Sequence, residues 1–401
     1  MTKPTGISRR KLLGNSAKAG ALLASSFAAP ALLAQTKKPI RIGVINSFTG
    51  AIAYAAENNL NAMSLYFDSI GWTVAGRKIE IIKEDDQFNP QVGLQKAKKL
   101  VESDNVDMLT GIQASNVALA VMNYAKQKKA FFIVTGAGAD AVTWGTTPYV
   151  FRTSLSAWQL SDPMANWTYK NLAKTFATVG SDYAGGHDVI AEFAGPFTKL
   201  GGKVVKQIFP PLGTNDFSPY LTDLKSISPP ATYNFMPGTD AVRYMQQYDQ
   251  FGLKEKTAFC GFALIDSLAL KNVGRAAIGV ITTTVYTDTV DNPENKKFAP
   301  AYHDRFKIWP DYFSDYGYVA ARVIDETLKA TDGDTDKDKM AAAMLKVKFN
   351  APRGPFRFDP KTHNPIQNVY VCKGADLGGG RIGNQVIGTV NDVTDPGSKQ
   401  Y

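Results

Sequence analysis

The sequence has few of the residues that build catalytic or metal centres. It contains three histidines and two cysteines in 401 residues. His187, His303 and His363 are far apart and have no neighbours at ligand spacing. No internal apolar run reaches the roughly eighteen residues of a membrane-spanning helix, and no basic run is typical of nucleic-acid binding. We therefore expect no metal, no cofactor, no nucleic-acid partner and no membrane span.

The two cysteines leave one question open. Cys260 and Cys372 lie in the strand-like runs TAFCGFA and NVYVCKG. An oxidising compartment would permit a disulfide between them. Two buried, unpaired thiols are the interpretation we favour, because free cysteine behaves as a small buried hydrophobe.

The first 34 residues have the pattern of a signal peptide, with a basic head, an apolar middle and small residues at the end. The pair Arg9-Arg10 in SRRKLL favours a twin-arginine export signal over an ordinary secretory one. Cleavage would follow Ala31 or Ala34, and no cysteine stands there to carry a lipid anchor. The pattern predicts an exported, soluble, periplasmic protein with its signal peptide removed.

That segment supplies more than half of the net positive charge of the chain. The whole chain has a formal net charge of +9, from 45 basic and 36 acidic residues. Residues 1–34 hold five basic residues and no acidic one, so the remainder has 40 basic and 36 acidic residues, or +4. This balance gives no reason to expect a polyanionic partner.

The rest of the chain alternates strand-like runs with amphipathic helical stretches, which predicts βαβ units and parallel sheets. The runs form two series separated near YVFRTSLS (149–156), which indicates two α/β lobes. A helical stretch (294–348) and an extended excursion (354–371) follow. The predicted strands are 41–45, 78–82, 106–111 and 130–136, then 175–180, 204–209, 232–238, 257–262 and 278–285.

A glycine-rich turn follows one buried run. TGAGADA (135–141) comes directly after AFFIV, and Ser115 follows the preceding strand. Ligands of open parallel sheets bind beyond the carboxyl ends of the strands. Backbone N–H groups of 136–139 and the Ser115 hydroxyl could grip a carboxylate there, aided by a helix N-terminus. A tight turn that simply needs glycine is the alternative.

The ordered set of these segments resembles the solute-binding proteins of ABC importers, in the branch of the Leu/Ile/Val-binding protein. The resemblance covers essentially all of the chain after the signal peptide. No single motif is decisive. The segments that carry it are RIGVINSFTGAIA, IEIIKEDDQFNPQVGLQKAKKLV, VDMLTGIQASNVA, FIVTGAGAD with YVFRTS, GSDYAGG, FGLKEKTAFCG and GPFRFDPKTHNP.

The resemblance implies a type I clamshell of two lobes, each a mostly parallel sheet flanked by helices. Three crossings between the lobes are expected near residues 152, 285 and 354. Lobe 1 would comprise 35–152 and 286–353, and lobe 2 would comprise 153–285 and 354–401. The protein would be a monomer that closes on a ligand by hinge bending and delivers it to an ABC permease in the membrane.

The family's ligand positions transfer to this chain residue by residue. Ser115 matches the hydroxyl that binds the ligand carboxylate, and Tyr183 matches an aromatic wall of the second lobe. Ala263 matches a glutamate that pairs with a ligand ammonium group, so this chain departs from the family there. Gly136, Ala137 and Gly138 match the family's backbone N–H groups that grip the carboxylate. Thr239 stands where the amino-acid-binding members often have tyrosine.

The departure at Ala263 bears on the ligand, because a buried ammonium group needs a charged partner. Asp240 or Asp266 could replace the glutamate, or could bind a ring hydroxyl as Thr239 could, but neither stands at the matching place. We therefore expect an aromatic carboxylate of the benzoate or phenylpropenoate type. Aromatic residues expected in the cleft are Phe48, Tyr54, Trp158, Tyr183, Phe235 and Phe262.

Three other functions are alternatives. A catalytic triad of Ser115, His187 and Asp240 lacks the G-x-S-x-G elbow, so we expect no enzyme. A sensor built on the same clamshell would need a separate receptor chain. A binder of branched-chain amino acids or small amides differs from our expectation only in its ligand. Arg152 could contact an anion, but a role in bracing the hinge is preferred.

Overall fold

The computed structural model describes residues 1–2, 37–50, 52–144 and 148–398. The segment Pro39–Tyr401 forms one compact unit. The predicted signal peptide, with its twin-arginine pair and its cleavage sites, lies outside the described residues. Within the described ranges, no helix is long and apolar enough to cross a membrane.

The first sheet has six strands in the order β2-β3-β1-β4-β5-β6, and all its pairs are parallel except β2 with β3. Three consecutive strands, β4, β5 and the edge strand β6, are buried along their whole length, as is typical of parallel strands covered by helices. The strands are β1 Ile40–Asn46, β2 Thr73–Val74, β3 Arg77–Asp85, β4 Met108–Gly111, β5 Phe132–Val134 and β6 Val150–Arg152.

The second sheet has nine strands, and its parallel part has the order β11-β10-β9-β7-β8. Antiparallel strands from the last part of the chain extend it beyond β11. The strands are β7 Thr175–Gly180, β8 Lys203–Ile208, β9 Ala231–Phe235, β10 Ala258–Phe262, β11 Ile281–Thr284, β12 Lys348–Ala351, β13 Gly354–Phe358, β14 Pro365–Asp376 and β15 Ile382–Val393.

Helices cover both sheets, and the last two helices, α10 and α11, return to the first sheet. Buried Val319, Ile324 and Met340 share one apolar core with Phe67 and Ile42 of the N-terminal part. The helices are α1 Ala53–Ser69, α2 Pro90–Lys98, α3 Ser115–Lys128, α4 Ala157–Asn171, α5 Ala184–Lys199, α6 Ser218–Ile227, α7 Gly238–Gln250, α8 Ser267–Val273, α9 Pro293–Phe306, α10 Tyr312–Ala330 and α11 Lys337–Met344.

The chain passes between the two lobes after β6, after β11 and near β13, in agreement with the expected two-lobed α/β fold. Arg353 directly precedes β13, at the third crossing, and is fully buried. Its Nε is 2.5 Å from Oδ2 of equally buried Asp315, and its Nη1 donates to Thr153 O at 2.8 Å and Gln367 Oε1 at 2.7 Å. The lobe boundaries given above stay a prediction.

The two cysteines are free and buried, which excludes the disulfide alternative. β11 separates their strands, because Cys260 is paired with Ile281 and Cys372 with Thr282. Strands two positions apart in a sheet are about 9–10 Å apart, which is beyond the reach of a disulfide. Burial raises the pKa of the Cys372 thiol to about 12.

Candidate ligand-binding cleft

A cavity lies where the carboxyl ends of the parallel strands of both sheets face each other. It encloses about 760 Å³ of empty space, including the part that opens to solvent. Its walls are loops and first helical turns that follow strands of the two sheets, with one further wall from α10. They include Ile52, Tyr54, Phe88, Gln113, Ser115, Gly136, Gly138, Leu155, Tyr183, Gly185, Val189, Phe235, Met236, Phe262, Ala263, Leu264, Asp266, Tyr312, Phe313 and Tyr316.

Several helices begin at this cavity with no side chain capping their first N–H groups. The N-cap residues of α1, α3, α5 and α7 are Ile52, Ala114, Tyr183 and Pro237, and none of them makes a side-chain capping bond. Ser, Thr, Asp and Asn are the residues that normally cap a helix. Uncapped N-termini carry partial positive charge and attract anions. None of the described residues that line the cavity is Lys, Arg or His.

Ser115 and Gly185 meet where α3 and α5 begin. The buried Ser115 Oγ accepts a hydrogen bond from Ala139 N at 3.2 Å. A Cβ atom on Gly185 would lie 2.9 Å from Ser115 Oγ and 3.0 Å from the Tyr183 ring. Only glycine therefore lets the two helix starts approach this closely, and the Ser115 hydroxyl stays at the cavity wall.

The glycine-rich turn contributes less than the sequence predicted. Gly136 and Gly138 line the cavity, but Ala137 does not. Ala137 is fully buried, and its N–H already donates to Ile112 O at 2.9 Å. A single short 3₁₀ turn, Asp140–Val142, follows instead of an α-helix. The helix N-termini that face the cavity are therefore not in this turn but at the starts of α1, α3, α5 and α7.

Two polar groups in the lining have no partner among the described residues. Both atoms of the Gln113 side-chain amide and the hydroxyl of Tyr316 are buried without a hydrogen bond. Gln113 adjoins the glycine turn, since a Cβ on Gly136 would lie 2.7 Å from Gln113 Cγ. Buried polar groups are normally hydrogen-bonded, so these groups are available to a bound molecule.

Aromatic rings form most of the apolar wall. Tyr183 and Phe235 are nearly parallel, with ring centroids 6.3 Å apart and an interplanar angle of 29°. Phe262 meets Phe235 edge-on at 5.1 Å. On the other side, Tyr312 and Phe313 lie 4.3 Å apart. Such rings present flat apolar faces with polar hydroxyls at their rims.

Asp266 supplies a carboxylate to the same lining. It is nearly buried and caps α8, where Oδ1 accepts from Ala269 N at 2.7 Å, and Oδ2 accepts from the Tyr54 hydroxyl. Burial, followed by the nearby charge of Asp311, raises the pKa of Asp266 to about 7. Asp311 Oδ2 itself accepts from Asn58 Nδ2 at 2.9 Å and Ser267 Oγ at 2.6 Å.

Two aromatic residues expected in the cleft lie elsewhere. Phe48 packs beside the core of the first lobe, with the Lys83 ammonium 3.7 Å from its ring centroid. Trp158 is on α4 and lines a shallow surface groove with Asp162 and Asn166. Neither residue is in the lining of the cavity.

Thr239 and Asp240 also lie outside the lining, although their neighbours Gly238 and Ala241 belong to it. Asp240 accepts from Gly213 N at 2.7 Å and is paired with Arg243. Gly238 and Ala241 are three residues apart and share a helix face, whereas the two residues between them are rotated off that face.

The remaining expected residues are Tyr54, Ser115, Tyr183, Phe235, Phe262 and Ala263, which the structure brings together at the cavity. Ala263 has a φ of 47° and brings no charge. Arg152 is fully buried at the hinge, where Nη1 donates to Leu155 O at 3.1 Å and Nη2 to Ala139 O at 2.5 Å. It does not line the cavity, and these bonds brace the first crossing.

Sequence reasoning missed the wall that α10 provides. Tyr312, Phe313 and Tyr316 follow the capping residue Asp311, and all three line the cavity. The signal was the cluster YFSDY directly after a helix-start signature, WPD. The cluster falls inside the predicted helical stretch 294–348, and nothing in its local sequence links it to the ligand.

The fold and the cleft define a two-lobed solute-binding protein, and comparisons with known proteins agree. The family described as "Periplasmic binding protein" matches residues 39–379. The Leu/Ile/Val-binding protein homolog 6 of Brucella melitensis is 32% identical over 385 residues, covering 94% of this chain and 98% of that relative. The chain belongs to the periplasmic binding protein family, in its Leu/Ile/Val-binding branch of ABC-type solute-binding proteins.

Solved structures are similar over nearly the whole fold. A solute-binding protein of an ABC transporter from Rhodopseudomonas palustris BisB5, in complex with 3,4-dihydroxybenzoic acid, is 35% identical with a TM-score of 0.86. The match covers 90% of this chain and 99% of that one. Another, from R. palustris in complex with benzoate, is 31% identical with a TM-score of 0.82 over 88% and 98% of the two chains.

Proposed function

We propose that this protein captures a small aromatic carboxylate in the interlobe cleft and delivers it to an ABC permease. The observation that carries the proposal is the makeup of the cavity. Flat aromatic rings form its walls, and neutral donors stand where an anion would bind: the Ser115 hydroxyl, the Gln113 amide and the uncapped starts of α3 and α5. Such donors hold an anion without a basic side chain.

The residue at position 263 supports the same ligand class. An α-amino acid would bury an ammonium group, and such a charge needs a carboxylate partner. Ala263 lies in the cavity wall and cannot be that partner. The aromatic acids named for two similar structures from R. palustris carry no ammonium group and agree with this reasoning.

A second candidate is a branched-chain amino acid, and Asp266 is the observation that favours it. Its carboxylate lines the cavity and could pair with an ammonium group in place of the missing glutamate. The name of the Brucella relatives also points to this class. Asp266 already accepts hydrogen bonds from Tyr54 and Ala269, however, and it shares its surroundings with the negative charge of Asp311.

A thermal-shift panel separates the two candidates. The purified protein is unfolded, freed of any bound ligand, refolded, and then heated with benzoate, hydroxybenzoates, cinnamate, leucine, valine, a dicarboxylate or acetamide. A ligand at a hundred times its dissociation constant stabilises by about 2.7 kcal/mol, which raises the melting temperature by several degrees. We expect a shift with the aromatic acids and none with leucine or valine. A shift with leucine alone would contradict the proposal.

A further inference from the structure

The polar groups of the cavity form two clusters that differ in hydrogen-bonding character. One surrounds the starts of α3 and α5, and the other is at the start of α8. Around the starts of α3 and α5 most of them are donors, namely the Ser115 hydroxyl, the Gln113 amide N–H₂ and backbone N–H groups, and Gln113 Oε1 is an uncharged acceptor beside them in the described lining. Around the start of α8 the group is an acceptor, the carboxylate of Asp266. A ligand that satisfies both clusters needs an acceptor on one side and a donor on the other.

The carboxylate of Asp266 has capacity left for such a donor. Its two oxygens offer about four lone-pair positions. Within the described part of the chain they receive the N–H of Ala269 and the hydroxyl of Tyr54, and the backbone N–H of Leu268 is a third donor, which leaves about one position free. No basic side chain of the described lining balances the charge. A further hydrogen bond from the ligand would therefore stabilise a carboxylate that is almost fully buried.

The neighbouring carboxylate is not the available acceptor. Asp311 caps α10 through Ser314 N at 3.0 Å, and its other oxygen accepts from Asn58 and Ser267. Asp311 is also absent from the cavity wall. Asp240 is likewise outside the cavity and is paired with Arg243. Asp266 is left as the carboxylate that a ligand in this cleft can reach.

We propose that Asp266 accepts a hydrogen bond from a hydroxyl group on the aromatic ring, so that the preferred ligands are hydroxylated aromatic acids rather than benzoate itself. This inference rests on the proposed function, because it presumes that an aromatic carboxylate occupies the cavity. Tyr54 is a positioning residue in this arrangement, since its hydroxyl holds Oδ2 of Asp266. Burial raises the pKa of Tyr54 well above its ordinary value, so this phenol remains a donor.

The test is calorimetric titration with four ligands: benzoate, 3-hydroxybenzoate, 4-hydroxybenzoate and 4-methylbenzoate. The methyl compound fills about the same space as the 4-hydroxyl compound but has no donor. A hydrogen bond to a charged group corresponds to roughly a 10- to 150-fold change in affinity. We expect the wild type to bind one hydroxybenzoate at least about tenfold more tightly than benzoate and 4-methylbenzoate.

The variants Asp266→Asn and Asp266→Ser should reduce this preference to about threefold or less. At pH ~7 they should bind benzoate up to about twofold more tightly than the wild type, because neither variant carries a charge at position 266. Asn and Ser are both good N-cap residues, so α8 keeps its cap in either variant. Asp240→Asn is the matched control, because it neutralises a buried aspartate that does not line the cavity. This variant should keep the full preference for the hydroxybenzoate over benzoate.

The possible results separate this inference from the proposed function. If the wild type binds none of the four acids, the role of Asp266 is overturned, and if cinnamate does not bind either, the proposed function fails as well. If it binds benzoate and all the others within about twofold, or if both Asp266 variants keep the hydroxyl preference, the role of Asp266 is overturned and the aromatic-acid function stands.

Discussion

The affinity for benzoate should fall as the pH rises through about 7. Asp266 has a pKa of about 7 because it is buried and lies near Asp311. A benzoate anion bound in the same cavity makes ionisation of Asp266 still less favourable and raises that pKa further. Benzoate therefore binds most tightly when Asp266 is protonated, and the advantage is lost between the pKa of the free protein and the higher pKa of the complex.

The magnitude follows from the size of the shift. One pKa unit corresponds to about 1.36 kcal/mol, so a rise of one unit changes the affinity by at most about tenfold over the whole pH range. With a free pKa of about 7, the affinity should be about fivefold lower at pH ~8 than at pH ~6. Benzoate itself stays ionised across this range, and it has no ring hydroxyl to offset the effect.

Calorimetry in buffers of different ionisation enthalpy measures the effect directly. We expect the protein to take up a fraction of a proton when benzoate binds near neutral pH. Asp266→Asn should remove both the proton uptake and the pH dependence. This variant also separates Asp266 from buried Asp140, whose pKa burial likewise raises well above its ordinary range. Leucine with its ammonium on Asp266 would lower the pKa and release a proton instead. Binding of benzoate that is independent of pH would refute the reasoning.

Three further changes test other parts of the structure. Ser115→Ala should weaken benzoate binding by about tenfold or more in calorimetry, since it removes a hydroxyl donor to a carboxylate. The control Ser64→Ala loses only a bond within its own helix and should bind benzoate normally. Equal affinities of the wild type and both variants would contradict the role of Ser115. Gly185→Ala should weaken binding at least as much, because its Cβ would lie 2.9 Å from Ser115 Oγ; unchanged affinity would show that this approach is not needed. Arg353→Met should lower the free energy of unfolding in urea by about 3–5 kcal/mol by leaving Asp315 buried without its partner, and a loss under 1 kcal/mol would contradict that role.

The strands of the second lobe could be predicted closely where short β-branched runs end at glycine. The run TFATVG gives β7 to the residue, Thr175–Gly180. Four strands could not be recognised in this way, namely β2, β6, β12 and β15. β6 has only three residues, Val150–Arg152, and they coincide with the predicted first crossing between the lobes. β15 lies in a Gly- and Asn-rich tail with weak strand propensity, and its partner β14 decides its conformation.

The cleft was predictable as a set of loops but less so as a set of side chains. Ser115 and Tyr183 follow parallel strands directly, so their positions are fixed by the topology. Which side chain of a first helical turn faces the cavity depends on helix rotation, which placed Thr239 and Asp240 off the wall. The wall from α10 comes from a return of the chain about 200 residues after Ser115, and no local pattern indicates such a contact.

A crystal structure of the protein grown with 4-hydroxybenzoate would test the central claim most directly. The account predicts the ring between the aromatic walls, the ligand carboxylate within hydrogen-bond distance of Ser115 Oγ and the helix starts beside it, and the ring hydroxyl on Asp266. A carboxylate turned away from Ser115, or a cavity that stays free of the acid at saturating concentration, would contradict the account.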